Sequence, residues 1–542
     1  MRLIAKGERQ KTEKQKYTDM KKHIITAFGI ILIAFPLFSQ ETPADKGYNS
    51  ITTDAIKAQL GFLASDWTEG RMAGEKGEAI SADYIASILQ MSGVKPGGDM
   101  PTGGGERTYF QNFILNKSIP GEDQILTVKT NTGNGSRTIT FTYNVDYTLR
   151  VSGNTTEYEA PLVFAGYCYR NEKLGYNDFS SLDLKGKFVL RIPGTPQFLN
   201  QKISTEEIAA YNRGLEAELK KLGAIGIIDI NDRALTILRL QAGDLKSASP
   251  AENNPRPGYA PGTYSIPVKT TTENLIRLSV TEKTASQILL GTGIDLDEYL
   301  KKANAGEAYK MAAFDKKVYL KSSMKNIQVP VKNVIGIIPG NNPDKVIVIG
   351  AHYDHMGIGN GYIWNGADDN GSGTVGAMTI ARAIVAAGKK PEKTIIIALW
   401  TAEEEGLLGS RYWVQNPTVP IKNVVINVNF DMISRYINEN ETKKVTMTYT
   451  DSYPVFKDFT EANLKNKRID LVVDYQPSPD PPGGTDHRSF VAVGIPIMRF
   501  KPGHREEYHK PTDEISTIDW DIMEKIIKIS FLNVWDLSEK TW

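Results

Sequence analysis

Two apolar segments, each followed by acidic and histidine side chains, constrain the fold of this chain more than any other feature. Lys345–Gly350 and Thr394–Trp400 are rich in Ile and Val and do not alternate strictly between apolar and polar residues. This pattern is typical of parallel strands that are covered on both faces. His352 and Asp354 follow the first segment, and Glu403–Glu405 follow the second. Because open α/β sheets bind ligands beyond the carboxyl ends of their strands, both groups are expected at one crevice.

The rest of the C-terminal half continues this alternation of strands and helices. Further strands are predicted at Asn333–Ile338, Val424–Phe430 and Ile495–Phe500, and a helix is predicted over 372–387. Strands and helices that alternate with short links favour a mostly parallel, mixed sheet with helices on both faces. The predicted fold class is therefore α/β.

Composition excludes some classes of partner. The chain has 542 residues, with 64 Lys and Arg against 63 Asp and Glu, so its net charge gives no case for binding nucleic acid or an anionic surface. Its 40% hydrophobic content is enough for an ordinary folded core. Cys168 is the only cysteine, so the chain can form no internal disulfide.

The N-terminus has the pattern of a targeting segment. Lys21 and Lys22 precede an apolar run, Ile24–Phe38, which is too short to span a bilayer comfortably and fits a signal-peptide core. Residues 1–40 are predicted to be a signal peptide that starts at Met20, and the chain is predicted to be exported, with no membrane span after the signal is removed. The alternative is a retained N-terminal membrane anchor.

A β-rich module is predicted within the α/β pattern. Strand-like runs dominate 126–322, and Ser204 with Glu207 forms a capping box at the start of a helix. Residues 48–125 and 323–542 would then be the two parts of one α/β domain. The Gly-rich segment Leu63–Glu78 fits either a loop near the cleft or a plain surface loop.

The side chains near the strand ends are donors that zinc ions accept. Each zinc ion of a pair takes about four N or O donors, and a bridging carboxylate is the simplest way to hold both ions. Of the adjacent Glu403 and Glu404, one can ligate metal while the other moves protons. Asp369 could instead cap the following helix, and the acidic triplet could be a solvated helix start. The candidate donors are His352, Asp369, Glu404, Asp431 and His509.

The motifs together resemble the M28 family of dinuclear zinc aminopeptidases, whose fold is the zinc-peptidase type of α/β sheet. The segment 162–230 is similar to the protease-associated (PA) domain that some members carry as an insertion. The motifs that carry the main resemblance are His352-x-Asp354, Gly366–Gly373, Ala402–Ser410, Asp431-Met432 and Tyr508–Asp513.

The resemblance implies a role for each matched residue. Asp369 would bridge a pair of Zn²⁺ ions, with His352 and Asp431 completing one site and Glu404 and His509 completing the other. It also implies a cis peptide bond at Asp369–Asn370.

The resemblance further implies the residues that act on substrate. Glu403 would be the general base, Asp354 would orient the His352 ring, and Tyr508 would stabilise the oxyanion. His355 is expected at the periphery and His504 at the mouth of the site. Asp486 and His487 are expected to be structural or to line the cleft, rather than to ligate metal.

The implied activity is release of N-terminal residues from peptide substrates. A carboxypeptidase, a glutaminyl cyclase and a non-catalytic binding protein are the alternatives on the same fold.

Overall fold

The computed structural model describes residues 41–132, 135–149, 155–179, 182–199, 202–231, 263–267, 275–307, 309, 314–359, 361–503 and 505–542. The predicted signal peptide, residues 1–40, and His504 lie outside the described residues. Within these ranges, no helix combines the length and the apolar character that crossing a membrane requires.

The strands are distributed over the whole described chain. They are β1 (Lys95–Pro96), β2 (Phe110–Thr132), β3 (Gly135–Phe141), β4 (Tyr147–Leu149), β5 (Thr156–Phe164), β6 (Arg170–Asn171), β7 (Tyr176–Asn177), β8 (Phe188–Arg191), β9 (Gly226–Ile230), β10 (Thr263–Ser265), β11 (Ile276–Val280), β12 (Lys316–Ile338), β13 (Asn342–His352), β14 (Gly357–Gly359), β15 (Tyr362–Trp364), β16 (Lys393–Trp400), β17 (Val424–Phe430), β18 (Lys444–Thr450), β19 (Val472–Ser478) and β20 (Ile497–Lys501).

The helices lie mainly before β1 and after β12. They are α1 (Pro43–Asn49), α2 (Thr53–Leu63), α3 (Lys76–Met91), α4 (Thr205–Lys221), α5 (Glu282–Leu289), α6 (Leu296–Ala305), α7 (Gly373–Ala386), α8 (Leu408–Gln415), α9 (Val455–Lys467), α10 (His487–Val491) and α11 (Trp520–Glu539). Short 3₁₀ turns cover Asp66–Arg71, Glu172–Leu174, Gln197–Leu199, Ile421–Asn423 and Ile515–Thr517, and a distorted π turn covers Ala367–Ser372.

Of the strands in the described residues, 16 pair in one extended sheet whose C-terminal half is mostly parallel, and β6-β7 and β14-β15 form two separate two-stranded sheets. The order of the extended sheet is β19-β18-β20-β17-β13-β16-β12, and it continues through β5-β8-β9-β11-β4. β13 is parallel to β16 and β17, and β17 is parallel to β20. β12 and β18 pair antiparallel with their neighbours β16 and β20. The prediction of a mostly parallel mixed sheet with flanking helices is confirmed.

Burial on both faces explains why the central strands lack polar alternation. In β13, Ile347 and Ile349 face one hydrophobic cluster, and Val346 and Val348 face another. Helices α7 and α11 contribute to the first cluster, and the aromatic residues of α8 and α10 contribute to the second. Because both sides are covered, the sequence of the strand is a continuous apolar run.

A further hydrophobic cluster lies in the β-rich part of the chain. It contains buried residues from Leu126 to Leu320 and includes β8, β9 and β11, which pair in parallel. The predicted capping box between Ser204 and Glu207 is present at the start of α4. The long antiparallel pair of β2 and β12 runs from this part into the α/β part. The domain boundaries given above remain a prediction.

Candidate metal centre

Three neighbouring parallel strands place the predicted donors at one edge of the sheet. His352 is the last residue of β13 and pairs with Trp400, the last residue of β16. The acidic residues Glu403 and Glu404 follow β16, and Asp431 directly follows β17. All of these side chains therefore lie at the carboxyl edge of the sheet.

Asp369 lies between the two predicted imidazole ligands and offers one carboxylate oxygen to each. Its Oδ1 is 3.4 Å from His352 Nε2, and its Oδ2 is 3.1 Å from His509 Nε2. Asp431 Oδ1 is 3.8 Å from His352 Nε2, on the first side. Glu404 Oε2 is 3.3 Å from His509 Nε2, on the second side. The structure thus brings together all five predicted donors in two sets that share one carboxylate.

Asp354 holds the backbone of the acidic pair rather than contacting His352 most closely. Its carboxylate accepts hydrogen bonds from the N–H groups of Glu403 at 3.1 Å and Glu404 at 3.3 Å. His352 Nδ1 is 3.2 Å from the Asp354 carbonyl oxygen and 3.7 Å from its Oδ1. A proton on Nδ1 that is donated to this carbonyl leaves Nε2 free to bind a metal ion.

The loop that carries Asp369 is fixed by buried polar contacts. The Asp369–Asn370 peptide bond is cis, as the resemblance predicts. Asp513 accepts hydrogen bonds from the N–H groups of Asp368 and Asp369, both at 2.9 Å. The Asn370 side chain donates to the Phe430 carbonyl at 3.0 Å, next to Asp431. Asp513 thus positions the backbone of Asp369, the predicted bridging residue, although the sequence analysis assigned Asp513 no role.

Left-handed backbone conformations occur beside the candidate ligands. Ala402, Met432 and His509 have φ values of 53°, 56° and 55°. Such a conformation costs a non-glycine residue roughly 1–2 kcal/mol and is concentrated at functional sites. Ala402 precedes Glu403, and Met432 follows Asp431, so these strained positions direct the side chains of Glu403 and Asp431.

Arg71 is a fully buried cation beneath the centre and was not singled out from the sequence. Its guanidinium donates to the carbonyl oxygens of Tyr353 at 2.7 Å, Leu63 at 2.6 Å, Asn365 at 2.6 Å and Gly366 at 2.9 Å. It therefore joins the Gly-rich N-terminal segment to the loops that carry His352 and Asp369. Of the two interpretations of that segment, the structure places it beside the cleft.

His355 lies inside the cluster, in contrast to its expected peripheral position. Its Nδ1 is 2.8 Å from Glu404 Oε1, and the ring is fully buried. Donor atoms of His355, Asp369 and Glu404 all lie within 4.8 Å of one another, as do those of His352, Glu403 and Asp431. Since Glu404 offers its other oxygen towards His509, we interpret His355 as a residue that orients Glu404.

Burial and neighbouring charges set the protonation of the site. Burial raises the pKa of Glu403 well above its ordinary value. Burial also opposes the charge of Asp369, but hydrogen bonds with His352 and His509 hold the pKa of Asp369 well below its ordinary value. Burial disfavours a charged His509, yet Asp369 and Glu404 together raise the pKa of His509 to about 10. Metal binding at this site would therefore displace protons from the imidazoles.

The donor set fits a pair of divalent ions. Two imidazoles and three carboxylates are the nitrogen and oxygen ligands that zinc takes in catalytic sites. Asp431 Oδ1 is buried and has no hydrogen-bond donor among the described residues. A concentration of buried carboxylates is unfavourable unless cations compensate them, and a shared pair of ions would do so.

Tyr508 lies at the rim of the site. Its ring is stacked on His509 with a centroid distance of 3.8 Å, and 39% of its surface is exposed. Burial of the hydroxyl raises the pKa of Tyr508, so the phenol keeps its proton and can donate it. The cavity beside it has a volume of about 400 Å³ and is also lined by His352, Glu403 and Asp431.

Asp486 and His487 are buried behind this cavity and do not line it. His487 Nε2 is 3.2 Å from the Pro482 carbonyl oxygen, and burial lowers the pKa of His487 to about 4. His487 is thus held by the backbone of its own loop rather than by the metal centre.

Comparison with known proteins identifies the part of the chain that contains this site. Residues 333–533 match the model of Peptidase family M28. This segment is an M28 domain. All five predicted donors lie within it. The aminopeptidase from Aneurinibacillus sp. strain AM-1 has the same fold, with a TM-score of 0.55 and 18% identity over 92% of this chain and 97% of that chain.

Curated relatives of the M28 domain align over shorter stretches. Leupeptin-inactivating enzyme 1 from Streptomyces exfoliatus is 32% identical over 166 residues, which are 30% of this chain and 34% of the relative. Leucine aminopeptidase 2 from Trichophyton rubrum is 40% identical over 102 residues, or 19% of each chain. The chain thus spans about a third or less of the length of these curated relatives.

Proposed function

We propose that this protein is an exported dinuclear zinc aminopeptidase that releases N-terminal residues from peptides. The observation that carries the proposal is the position of Asp369, whose two oxygens face His352 and His509 and divide the donors into two sets. Membership of the M28 domain in a peptidase family and the fold shared with an aminopeptidase support it.

The proposed roles follow from the contacts of each side chain. When bound, a pair of zinc ions would lower the pKa of a shared water and polarise the scissile carbonyl. Glu403 takes the proton of the attacking water and passes it to the leaving amine. Asp354 fixes Glu403 and Glu404 through their N–H groups. The Tyr508 hydroxyl donates a hydrogen bond to the oxyanion at the rim of the cavity.

Two further parts of the proposal concern the rest of the chain. Residues 1–40 act as a signal peptide, and residues 126–322 form a PA-like module inserted between 48–125 and 323–542. The separate hydrophobic cluster in the β-rich part supports this division. The N-terminal sequence of the exported protein tests the signal, and a start at residue 1 would contradict it.

The experiment that tests the activity compares matched substrates. Purified protein is assayed with aminoacyl peptides and with the same peptides blocked at the N-terminus, before and after chelation and after zinc is restored. Only the free peptides are expected to be cleaved, and only with metal present. Cleavage of blocked peptides would favour a carboxypeptidase, cyclisation of N-terminal glutamine with a single zinc ion would favour a cyclase, and absence of bound zinc would favour a binding protein.

The role of Glu403 has a matched control in its neighbour Glu405. Glu403→Gln should lower kcat by at least about 100-fold, the usual contribution of a general base, while the zinc content measured by mass spectrometry stays near that of the wild type. Glu405 does not line the cavity, so Glu405→Gln should keep most activity. Near-normal turnover of Glu403→Gln would refute the assignment.

A further inference from the structure

Two cationic side chains line the same cavity as the candidate metal ligands. Arg499 and Lys501 are two residues apart on β20, so they point to the same side of the sheet. Phe500, between them, is buried in the hydrophobic core. Arg499 and Lys501 together are called the cationic wall of the cavity below.

The cationic wall is not neutralised by ion pairs within the described part of the chain. Arg499 Nη2 donates to the Pro482 carbonyl at 3.2 Å, and its buried Nε–H has no acceptor among the described residues. Lys501 Nζ is 3.5 Å from Met432 Sδ, which is a weak acceptor. A buried charged donor without a partner is unfavourable, so the arrangement favours an acceptor supplied by a ligand.

The metal ligands could compensate this charge only while no metal is bound. Both cations are attracted to Asp431. Four carboxylates line the cavity, those of Asp369, Glu403, Glu404 and Asp431. A pair of divalent ions would neutralise all four, and the cationic wall would then be left as uncompensated positive charge. In the metal-bound protein the cavity is therefore suited to an anionic group.

Two glycines keep space open in front of Arg499. Gly483 and Gly484 line the cavity, and Gly483 has a φ of +122°. A Cβ atom at Gly483 would lie 2.8 Å from Arg499 Nη2, so a side chain there would displace the guanidinium. The absence of side chains at this position keeps the guanidinium accessible from the cavity.

We propose that Arg499 and Lys501 form a carboxylate subsite, so that the preferred substrates carry a carboxylate close to the scissile bond. This inference rests on the proposed peptidase function and specifies its substrate class. The shared chemistry is one carboxylate held by a guanidinium and an ammonium group. It can come from the side chain of an acidic N-terminal residue or from the free C-terminus of a dipeptide.

The experiment uses substrate pairs that differ only in this charge. The zinc-loaded protein is assayed with the p-nitroanilides of glutamate and glutamine, which test the side-chain source. It is also assayed with leucyl-glycine and leucyl-glycinamide, which test the C-terminal source. In at least one pair, the carboxylate-bearing member should have a kcat/KM about 10- to 100-fold higher, as expected for a charged hydrogen bond.

Variants separate a subsite from a merely structural role. Arg499→Gln and Lys501→Gln should each reduce the preference within that pair about tenfold or more, with little effect on the neutral member and on zinc content. Arg499→Lys keeps the charge and should retain part of the preference. Arg505 packs on Tyr436 and does not line the cavity, so Arg505→Gln is the charge-matched control.

A binding measurement gives a readout that is independent of turnover. Isothermal titration calorimetry of the zinc-loaded protein compares glutamate with glutamine for the side-chain source, and glycine with glycinamide for the C-terminal source. For the source that shows the kinetic preference, the carboxylate-bearing compound should bind more tightly, and Lys501→Gln should remove the difference. Equal cleavage within both pairs, or equal losses for charged and neutral members together with loss of zinc, would overturn the subsite. If no peptide is cleaved but glutamate binding is selective, the proposed function fails while the subsite stands.

Discussion

Arg71→Met is the substitution whose effect on stability can be worked out most directly from the structure. The guanidinium is fully buried and donates to four backbone carbonyls. Two of these acceptors have a second donor, because Leu63 also accepts from Thr68 Oγ1 and Gly366 also accepts from the Gly371 N–H. The carbonyls of Tyr353 and Asn365 have no second donor among the described residues.

The expected loss follows from the two carbonyls that would be left without a donor. A buried acceptor that loses its only partner costs about 1–3 kcal/mol, so Arg71→Met should lower the free energy of unfolding by about 4 kcal/mol. Arg71→Lys keeps the charge, but a single ammonium group cannot reach carbonyls spread over a planar fork. It should therefore lose at least about 2 kcal/mol.

The assay is urea unfolding followed by tryptophan fluorescence, with chelator present so that metal binding does not add to stability. Trp364, Trp400 and Trp413 are fully buried in the same α/β part and report its unfolding. Arg468 is exposed and its side chain has no hydrogen bond or ion pair among the described residues, so it supplies the control, because surface substitutions of this kind usually change stability by no more than about 0.5 kcal/mol. An Arg71→Met loss no larger than that of Arg468→Met would refute the reasoning.

Two further predictions concern buried carboxylates near the site. Burial raises the pKa of Glu78 to about 7. Between pH 4.5 and pH 7 the folded chain therefore keeps a proton on Glu78 that the unfolded chain releases. The folded state is most stable with respect to this group below pH 4.5 and loses that stability as the pH rises through 7. Urea unfolding at pH 5 and pH 8.5 should show the wild type losing about 2–3 kcal/mol more than Glu78→Gln, and identical losses would contradict the shift. Asp354→Asn should weaken zinc binding about 10- to 100-fold in competition with a chromophoric chelator, and an unchanged affinity would remove Asp354 from the site.

The central strands could be predicted from the sequence because a strand that is buried on both faces has apolar residues at nearly every position. β13, β16 and β17 are continuous apolar runs, and each was predicted within a few residues of its observed bounds. β19 was not predicted: it lies at the edge of the sheet, and its side chains alternate between exposed and half-buried positions. Most of β2 was also missed, since Pro120 and Gly121 disfavour a strand, and its pairing with β12, β3 and β10 involves residues distant in sequence.

The metal donors could be predicted because motif spacing and strand ends both mark them. Arg71 could not, since its acceptor at Tyr353 is 282 residues away and no local pattern connects them. His355 was placed at the periphery because it follows Asp354 by one residue. The turn after β13 instead places the His355 ring next to Glu404. Contacts of this kind depend on how loops meet at the sheet edge, which residue types alone do not specify.

The N-terminal segment completes a site whose ligands are all more than 250 residues further along the chain. Arg71 holds the backbone after His352 through the Tyr353 carbonyl. Glu78 accepts hydrogen bonds from the Tyr353 hydroxyl and from Thr401, both at 2.6 Å, so it supports the strand end that precedes Glu403. Residues of this N-terminal segment, which precedes the β-rich part in sequence, thus form hydrogen bonds at the ends of both β13 and β16. This supports the proposal that 48–125 and 323–542 form one folding unit, because a ligand set on strand ends keeps its geometry only if the loops behind those ends are fixed.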